Sequence, residues 1–398
     1  MPEHRRAFRI LFSSLVCLGM GQSMLFAILP PAATEIGLSP FQVSIIFATS
    51  ASLWVFMSPR WGRRSDVWGR RPVILIGLLG FGASMALLAT MIQVGLWGIW
   101  PLAVVFPLMI ASRCVFALFG SGTGPAAQAY VADRTSRSER TAGVSLVNAA
   151  FGMGQTIGPA AGALLAVVGL LAPLYFAAAA AAASAALVWW LLPEASPPLA
   201  HGDPRPPKMS FRDPRIVPYL WVAGALQAVR STTAITLAFF LQAQLGLSAE
   251  ETVQFAGAGF VVLALAGLFT QLVLVQRWRP SARRMMLVGT PIAFACFIVM
   301  LVGDDLLAYL GAQVLLGLGL GLVRPGTAAA ASLSVGPEEQ GAVAGLTNAL
   351  GVVGNIFGPL LGTQLFEIDP RGPYVLNAAL LAIAFVYIVT NRRIRALR

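Results

Sequence analysis

Charged residues are scarce in this chain. Only 11% of its 398 residues are Asp, Glu, Lys or Arg, against about 25% in soluble globular domains. None of the four occurs from Pro72 to Ser112, or from Thr141 to Pro193. A helix that crosses a bilayer needs about 20 apolar residues, so each run holds two, and a soluble fold is excluded. Cysteine is nearly absent as well. Cys17, Cys114 and Cys296 all fall within apolar stretches, which reads as small buried side chains and not as disulfides or metal ligands. The two histidines, His4 and His201, lie in a tail and a loop. No Asp, Glu or His sits deep in any apolar run. That excludes an intramembrane enzyme, which would need a general base or a metal site at membrane depth.

Hydrophobic residues make up 57% of the chain, and their runs predict an all-α membrane protein with 12 transmembrane helices in two pseudo-symmetric six-helix bundles. The first six spans are placed near 8–31, 41–60, 72–94, 101–131, 142–167 and 170–192. The second six are placed near 216–244, 251–276, 285–303, 306–332, 341–366 and 372–391. The expected division is 1–192, a cytoplasmic linker at 193–215, and 216–398. Seven of the linker's 23 residues are proline, which stops helix continuation and stiffens the chain. The first apolar run, Ile10 to Thr34, exceeds the roughly 7–15 residues of a signal-peptide core. The net charge of +11 does not point to nucleic acid, because the cations follow the loops. Of 27 Lys and Arg, 23 fall in alternate loops or at the ends, while the intervening loops carry Glu35, Glu250, Glu251, Asp304, Asp305, Glu367 and Asp369, with Arg371 the one exception. Excess cation on alternate loops marks the cytoplasmic side and places both termini there, in a cell (inner or plasma) membrane protein.

Residues 142–165 and 342–365 are one segment written twice. The first copy carries Asn148, Gly154, Gly158, Pro159 and Gly162, and the second carries Asn348, Gly354, Gly358, Pro359 and Gly362. Glu139 and Glu339, and Pro125 and Pro325, match upstream. A long apolar repeat in each half is the mark of a transporter built from two related bundles. Gly and Pro weaken the helix ladder and permit a bend against a partner helix, so these positions are candidate hinges, with small-residue packing as the alternative.

The stretch after the second span reads Gly62-Arg63-Arg64-Ser65-Asp66-Val67-Trp68-Gly69-Arg70-Arg71-Pro72. Gly62 and Gly69 would permit a tight turn, and Asp66 lies within reach of Arg70 or Arg71 for a charge-assisted pair. This pattern resembles the hallmark loop of the major facilitator superfamily, departing from it at Arg64 and Val67. The resemblance spans the whole chain. It includes Ala129-Tyr130-Val131-Ala132-Asp133, with Glu139-Arg140 after it, and Arg113 about 20 residues earlier, although Ala117 stands where a glycine is usual. Gly154-x-x-x-Gly158-Pro159-x-x-Gly162 resembles the fifth-span motif of the drug:proton antiporter branch, which includes tetracycline exporters, with Ala163 in place of a final glycine. The resemblance implies that Asp66, Arg70 and Asp133 form a charge cluster that latches the two halves on the cytoplasmic side. The matching stretch of the second half, Gln276 to Arg284, has no acidic residue, so coupling is expected mainly in the first half.

Three arginines lie within spans: Arg113, Arg230 and Arg324. Each costs about 2.5–3.5 kcal/mol at a helix centre and is functional by default. In this superfamily the first, fourth, seventh and tenth helices line a central cavity. The resemblance therefore implies that the three arginines face a shared substrate site with Gln22, Gln227 and Gln313, and with Met24, Phe116, Phe239 and Phe240 around it. Arginine stays protonated, and its planar fork suits carboxylate or phosphate. The expectation is a monomeric secondary transporter in the lipid bilayer that needs no cofactor or metal. It exports a small amphipathic anionic or zwitterionic molecule on a proton gradient or membrane potential. Asp66, Asp133 and Glu35 are the candidate proton carriers. An organic-anion importer or exchanger is the alternative, and a non-transporting receptor or scaffold is a third reading. The charge asymmetry makes one direct prediction. A reporter that matures only in the cytoplasm, fused after Arg398, will be active, and an inactive fusion would reverse the topology.

Overall fold

The computed structural model describes residues 2–135, 140–194, 209–336 and 339–396. Among the described residues eleven helices are long and apolar enough to cross a membrane. In chain order the helices are α1 (Pro2–Glu35), α2 (Pro40–Trp68), α3 (Arg70–Leu96), α4 (Leu102–Phe119), α5 (Thr123–Ala132), α6 (Arg140–Ala166) and α7 (Ala172–Leu191). They continue with α8 (Val217–Leu245), α9 (Ala249–Phe269), α10 (Val275–Trp278), α11 (Ala282–Val302), α12 (Leu306–Leu333), α13 (Gln340–Ile368), α14 (Gly372–Thr390) and the short α15 (Arg392–Arg395). The 27-residue α6 occupies the place of the expected fifth span. Most of the expected linker, and Glu139, lie outside the described residues. The chain divides into two compact units, Met1–Gly202 with Ser248–Gly257, and Asp203–Leu247 with Ala258–Arg398.

Local signals set the helix ends. Ser39 and Gln42 form a reciprocal cap at the start of α2, with Pro40 in the first turn. Asp305 caps α12 through the Ala308 amide at 2.6 Å, and Gly246, left-handed at φ 64°, ends α8. Such side-chain acceptors satisfy amides that a helix start leaves open.

Three expectations need correction. The second span does not end near residue 60. It continues to Trp68, and Gly62 is helical, so it is not a turn residue. The whole reversal falls on Gly69, at φ 95°, where glycine avoids the Cβ clash that other residues meet. The fourth span is not one α-helix. Its Gly120-Ser121-Gly122 sequence tightens into a 3-10 turn between α4 and α5, because glycine and serine hold the α-helix weakly. The eighth span widens into a π turn at Thr270–Leu274 before α10.

The doubled segment forms a close seam in each unit. In the first, α6 packs along α1, and in the second α13 packs along α8. A Cβ on Gly154 would overlap the Val16 carbonyl, and one on Gly158 would overlap the Ser23 hydroxyl and Met20 backbone. Gly162 lies against Met24. The second seam repeats this arrangement. Gly354 faces Gln227 and Ala228, Gly358 faces Ser231, and Gly362 faces Thr232. Ser231 Oγ donates across the seam to the Gly354 carbonyl at 2.8 Å, and Thr232 Oγ1 to the Gly358 carbonyl at 2.9 Å. Both helices run unbroken through Pro159 and Pro359. In lipid, helices gain little from hydrophobic exclusion, so close backbone approach carries their association.

The seam predicts a sharp contrast. Gly158→Leu and Gly358→Leu will each destabilise the detergent-solubilised protein by about 1–3 kcal/mol through overpacking. Gly152→Ala, on the same helix with open space around it, will cost nothing. Thermal unfolding checks this, and equal losses at Gly152 and Gly158 would contradict it.

Candidate functional site

Two groups of polar residues are built into the bundles, one at membrane depth and one at the ends of α2, α3 and α5. The membrane-depth group in the first unit centres on Arg113 of α4, which is 2% exposed. Its guanidinium donates to Gln22 Oε1 at 3.3 Å and Ser84 Oγ at 3.5 Å, and lies 4.9 Å from the Phe116 ring centroid. Its partners are a neutral amide, a hydroxyl and a π face, and its Nε has no partner among the described residues. Phe116 in turn meets Phe81 edge to face at 5.5 Å.

In the second unit Arg230 of α8 donates to Gln227 Oε1 at 3.3 Å and Asn355 Oδ1 at 3.4 Å. Gln227 Nε2 also donates to Asn355 Oδ1, at 2.6 Å. Arg324, on α12, is exposed. Gln313 is 1% exposed, and neither of its amide atoms has a partner among the described residues. Its Cγ packs toward Gly259 and no hydrogen bond joins it to Arg230.

The two units hold these groups in related positions. Ser23 lies under Gly158 as Ser231 lies under Gly358, so the neighbouring Gln22 and Arg230 are equivalent. Arg113 and Gln313 are 200 positions apart, the offset of the doubled segment. Each unit thus places one arginine and one glutamine at matching points, with the two exchanged between helices. In the first unit they bond to each other. In the second Arg230 turns to Gln227 and Asn355, leaving Gln313 alone.

Several expected lining residues point elsewhere. Phe239 is 4% exposed and packs on Phe366 of α13, with centroids 5.9 Å apart. Phe240 is enclosed by Tyr309 and Tyr374, and Met24 is fully buried beside Gly162. These side chains complete helix packing and do not line open space.

The second group is an ion cluster. Arg70, 6% exposed, reaches Asp66 at 2.5 Å and Asp133 at 3.0 Å, and donates to Ser65 Oγ at 2.6 Å. Arg71 does not join Asp66. It donates to the Trp189 carbonyl and lies over the Trp189 ring. Glu194, beyond the end of α7, accepts from the backbone amides of Arg70 at 3.0 Å and Arg71 at 3.3 Å. It therefore caps the start of α3, where the helix dipole favours negative charge. A Cβ at Gly69 would strike this carboxylate, 2.9 Å from its Cδ. Arg134 stacks on Tyr130 at 4.1 Å and donates to the carbonyls of Pro193 and Glu194. One guanidinium, that of Arg70, thus bridges two carboxylates, and the Glu194 carboxylate accepts from the amides that open α3.

Asn355 and Glu194 are the residues that sequence reasoning missed. Asn355 directly follows Gly354 as Gln155 follows Gly154, a repeated polar position that could have flagged it. Glu194 is 124 residues from Arg70, and no local pattern joins them.

The ion cluster yields a prediction. Arg70→Ala will leave Asp66 and Asp133 facing without a cation and will cost about 2 kcal/mol. Adding Asp133→Asn will restore part of the loss. Thermal unfolding of the single and double variants reads this, and a double variant no more stable than the single one would contradict the pairing.

Comparison with known proteins agrees with this architecture. The sequence model described as the Major Facilitator Superfamily matches residues 11–351 and 264–396. The chain is 26% identical over 392 residues to Multidrug resistance protein 1 of Bacillus subtilis (strain 168), covering 96% of this chain and 95% of the relative. It is 25% identical over 381 residues to Tetracycline resistance protein, class C, of Escherichia coli, covering 92% and 90%. Its fold is similar to that of a bacterial homolog of the human lysosomal transporter Spinster, with a TM-score of 0.75, 14% identity, and coverage of 98% of this chain and 97% of that one.

Proposed function

The chain belongs to the Major Facilitator Superfamily, a family of membrane transporters and not enzymes, and from that premise we propose that it exports a small amphipathic anion or zwitterion by alternating access. The observation that carries this reading is the charge at membrane depth. Three arginines stand deep within the spans, away from the helix ends, where no carboxylate or histidine does. A cationic cargo would meet only repulsion there. A carboxylate or phosphate would find guanidinium forks now bonded only to neutral groups, with donors to spare. Export is supported by the relatives, which are named for resistance to drugs and to tetracycline.

In this proposal Arg113, Arg230 and Arg324 receive the charged end of the cargo, with Gln22, Gln227, Gln313 and Asn355 ordering them. Phe116 offers an apolar surface beside Arg113. Asp66, Arg70, Asp133 and Gly69 form the cytoplasmic latch. The glycines and prolines of the doubled segment serve as hinges along the same seam that packs each bundle. Arginine cannot release a proton at physiological pH, so coupling draws on edge carboxylates or on the potential itself. An inside-negative potential moves a monoanion outward with about 2.3 kcal/mol per 100 mV. The protein works as a monomer in the plasma membrane with both termini in the cytoplasm.

Arg230→Ala will reduce transport of an anionic substrate in proteoliposomes at least about tenfold, a loss of roughly 1.4 kcal/mol of transition-state binding. Arg230→Lys will retain part of it, since charge remains but the fork is lost. Unchanged transport in Arg230→Ala would overturn the anionic site. Counterflow separates export from exchange: an exchanger needs substrate on the far side and ignores a pH gradient.

A further inference from the structure

A cavity of about 470 Å³ opens where α8 begins and α14 ends. Arg212, just before α8, and Arg392 and Arg393, just after α14, line it. Pro214 and Val217 supply an apolar floor. Asn391 is on the wall, but its Oδ1 is engaged by the backbone amides of Arg393 and Ile394.

The nearby carboxylates are already occupied. Arg215 holds Asp213 at 2.8 Å and Glu339 at 2.8 Å. That clasp keeps the Asp213 and Glu339 carboxyls below their usual range, mainly through the Arg215 hydrogen bonds. Arg393 feels the Asp213 charge at a distance. Among the described residues Arg212, Arg392 and Arg393 have no carboxylate within 4.0 Å. Three guanidiniums with no carboxylate partner among the described residues therefore line one cavity with an apolar floor. It lies at the ends of two apolar spans, on the face that the loop charges assign to the cytoplasm. Phe211 is 51% exposed beside Arg212, and Trp221 is 70% exposed one turn into α8. Exposed aromatic rings at a span end fit the boundary between headgroups and acyl chains.

We propose that this cavity binds an anionic phospholipid of the cytoplasmic leaflet. Its phosphodiester sits among Arg212, Arg392 and Arg393, and its acyl chains run down past Pro214, Val217 and Trp221. The shared chemistry is a phosphate oxyanion, which a soluble phosphate ester also offers. The apolar floor and the flanking aromatic rings favour the lipid.

The test uses the full chain in neutral detergent. Its apparent unfolding temperature is measured with phosphatidylglycerol, with phosphatidylcholine and with glycerol 3-phosphate, since a bound ligand raises it by mass action. Phosphatidylglycerol will stabilise the protein more than phosphatidylcholine, and glycerol 3-phosphate will do nothing. The variant Arg212→Gln/Arg392→Gln/Arg393→Gln will lose the difference, while Arg277→Gln/Arg284→Gln will keep it. Each arginine contributes about fivefold to affinity, so the triple variant weakens binding on the order of a hundredfold. Native mass spectrometry of Arg392→Gln alone, the mildest change, will show fewer bound phosphatidylglycerol molecules than the parent. A triple variant that keeps the full shift, or an unchanged lipid count in Arg392→Gln, would overturn the site. An equal shift from glycerol 3-phosphate would overturn the lipid as its occupant.

Discussion

A guanidinium inside a membrane cannot shed its charge, and in this protein it finds no carboxylate at its own depth. It must be solvated by neutral amides, hydroxyls and aromatic faces. Arg113 is met by Gln22, Ser84 and Phe116, and Arg230 by Gln227 and Asn355. Burial of such a charge costs about 2.5–3.5 kcal/mol, and neutral partners offset this without cancelling the charge. Each bundle therefore retains positive potential that an anion could neutralise. The partners reach the arginines because the helix backbones approach closely. Gln22 and Arg230 stand next to Ser23 and Ser231, the residues against which Gly158 and Gly358 close. The glycine seam and the arginine site are thus one construction, repeated with arginine and glutamine exchanged.

The charges outside the membrane are handled in the opposite way. Arg70 is paired with two carboxylates, and Glu194 covers the first amides of α3. The second unit has no acidic residue in its matching stretch, but it is not without an ion cluster. Arg215 clasps Asp213 and Glu339 instead, joining the start of α8 to the start of α13. Both carboxyls have pKa values below their usual range. The clasp is therefore intact above about pH 4, the ordinary carboxylate range, and is lost as pH falls through the depressed values.

Much of this was legible in the sequence because hydrocarbon imposes simple rules. Long uncharged runs marked the spans, and the spacing of 200 marked the two halves. The pairing of Asp66 with Arg70 was readable because the two lie only four residues apart across a glycine turn, which keeps their side chains within reach. Faces were harder to read. The seventh span carries polar side chains on every side, among them Gln227, Arg230, Thr232, Thr233 and Thr236, so nothing in its pattern told that Phe239 turns toward α13. The 3-10 turn at Gly120–Gly122 and the π turn at Thr270–Leu274 leave no mark in the hydrophobic periodicity. Glu194 stands 124 residues from Arg70 in the sequence, and only the folded chain brings it to Gly69.

The central claim is that the membrane-depth site selects negative charge. Its most direct test is a thermal-shift comparison of two ligands of the same shape, one a carboxylate and the other a quaternary ammonium, on the purified protein at low salt. Preferential binding of the carboxylate raises the unfolding temperature by mass action, and the ammonium compound leaves it unchanged. A larger shift with the ammonium compound would contradict the account.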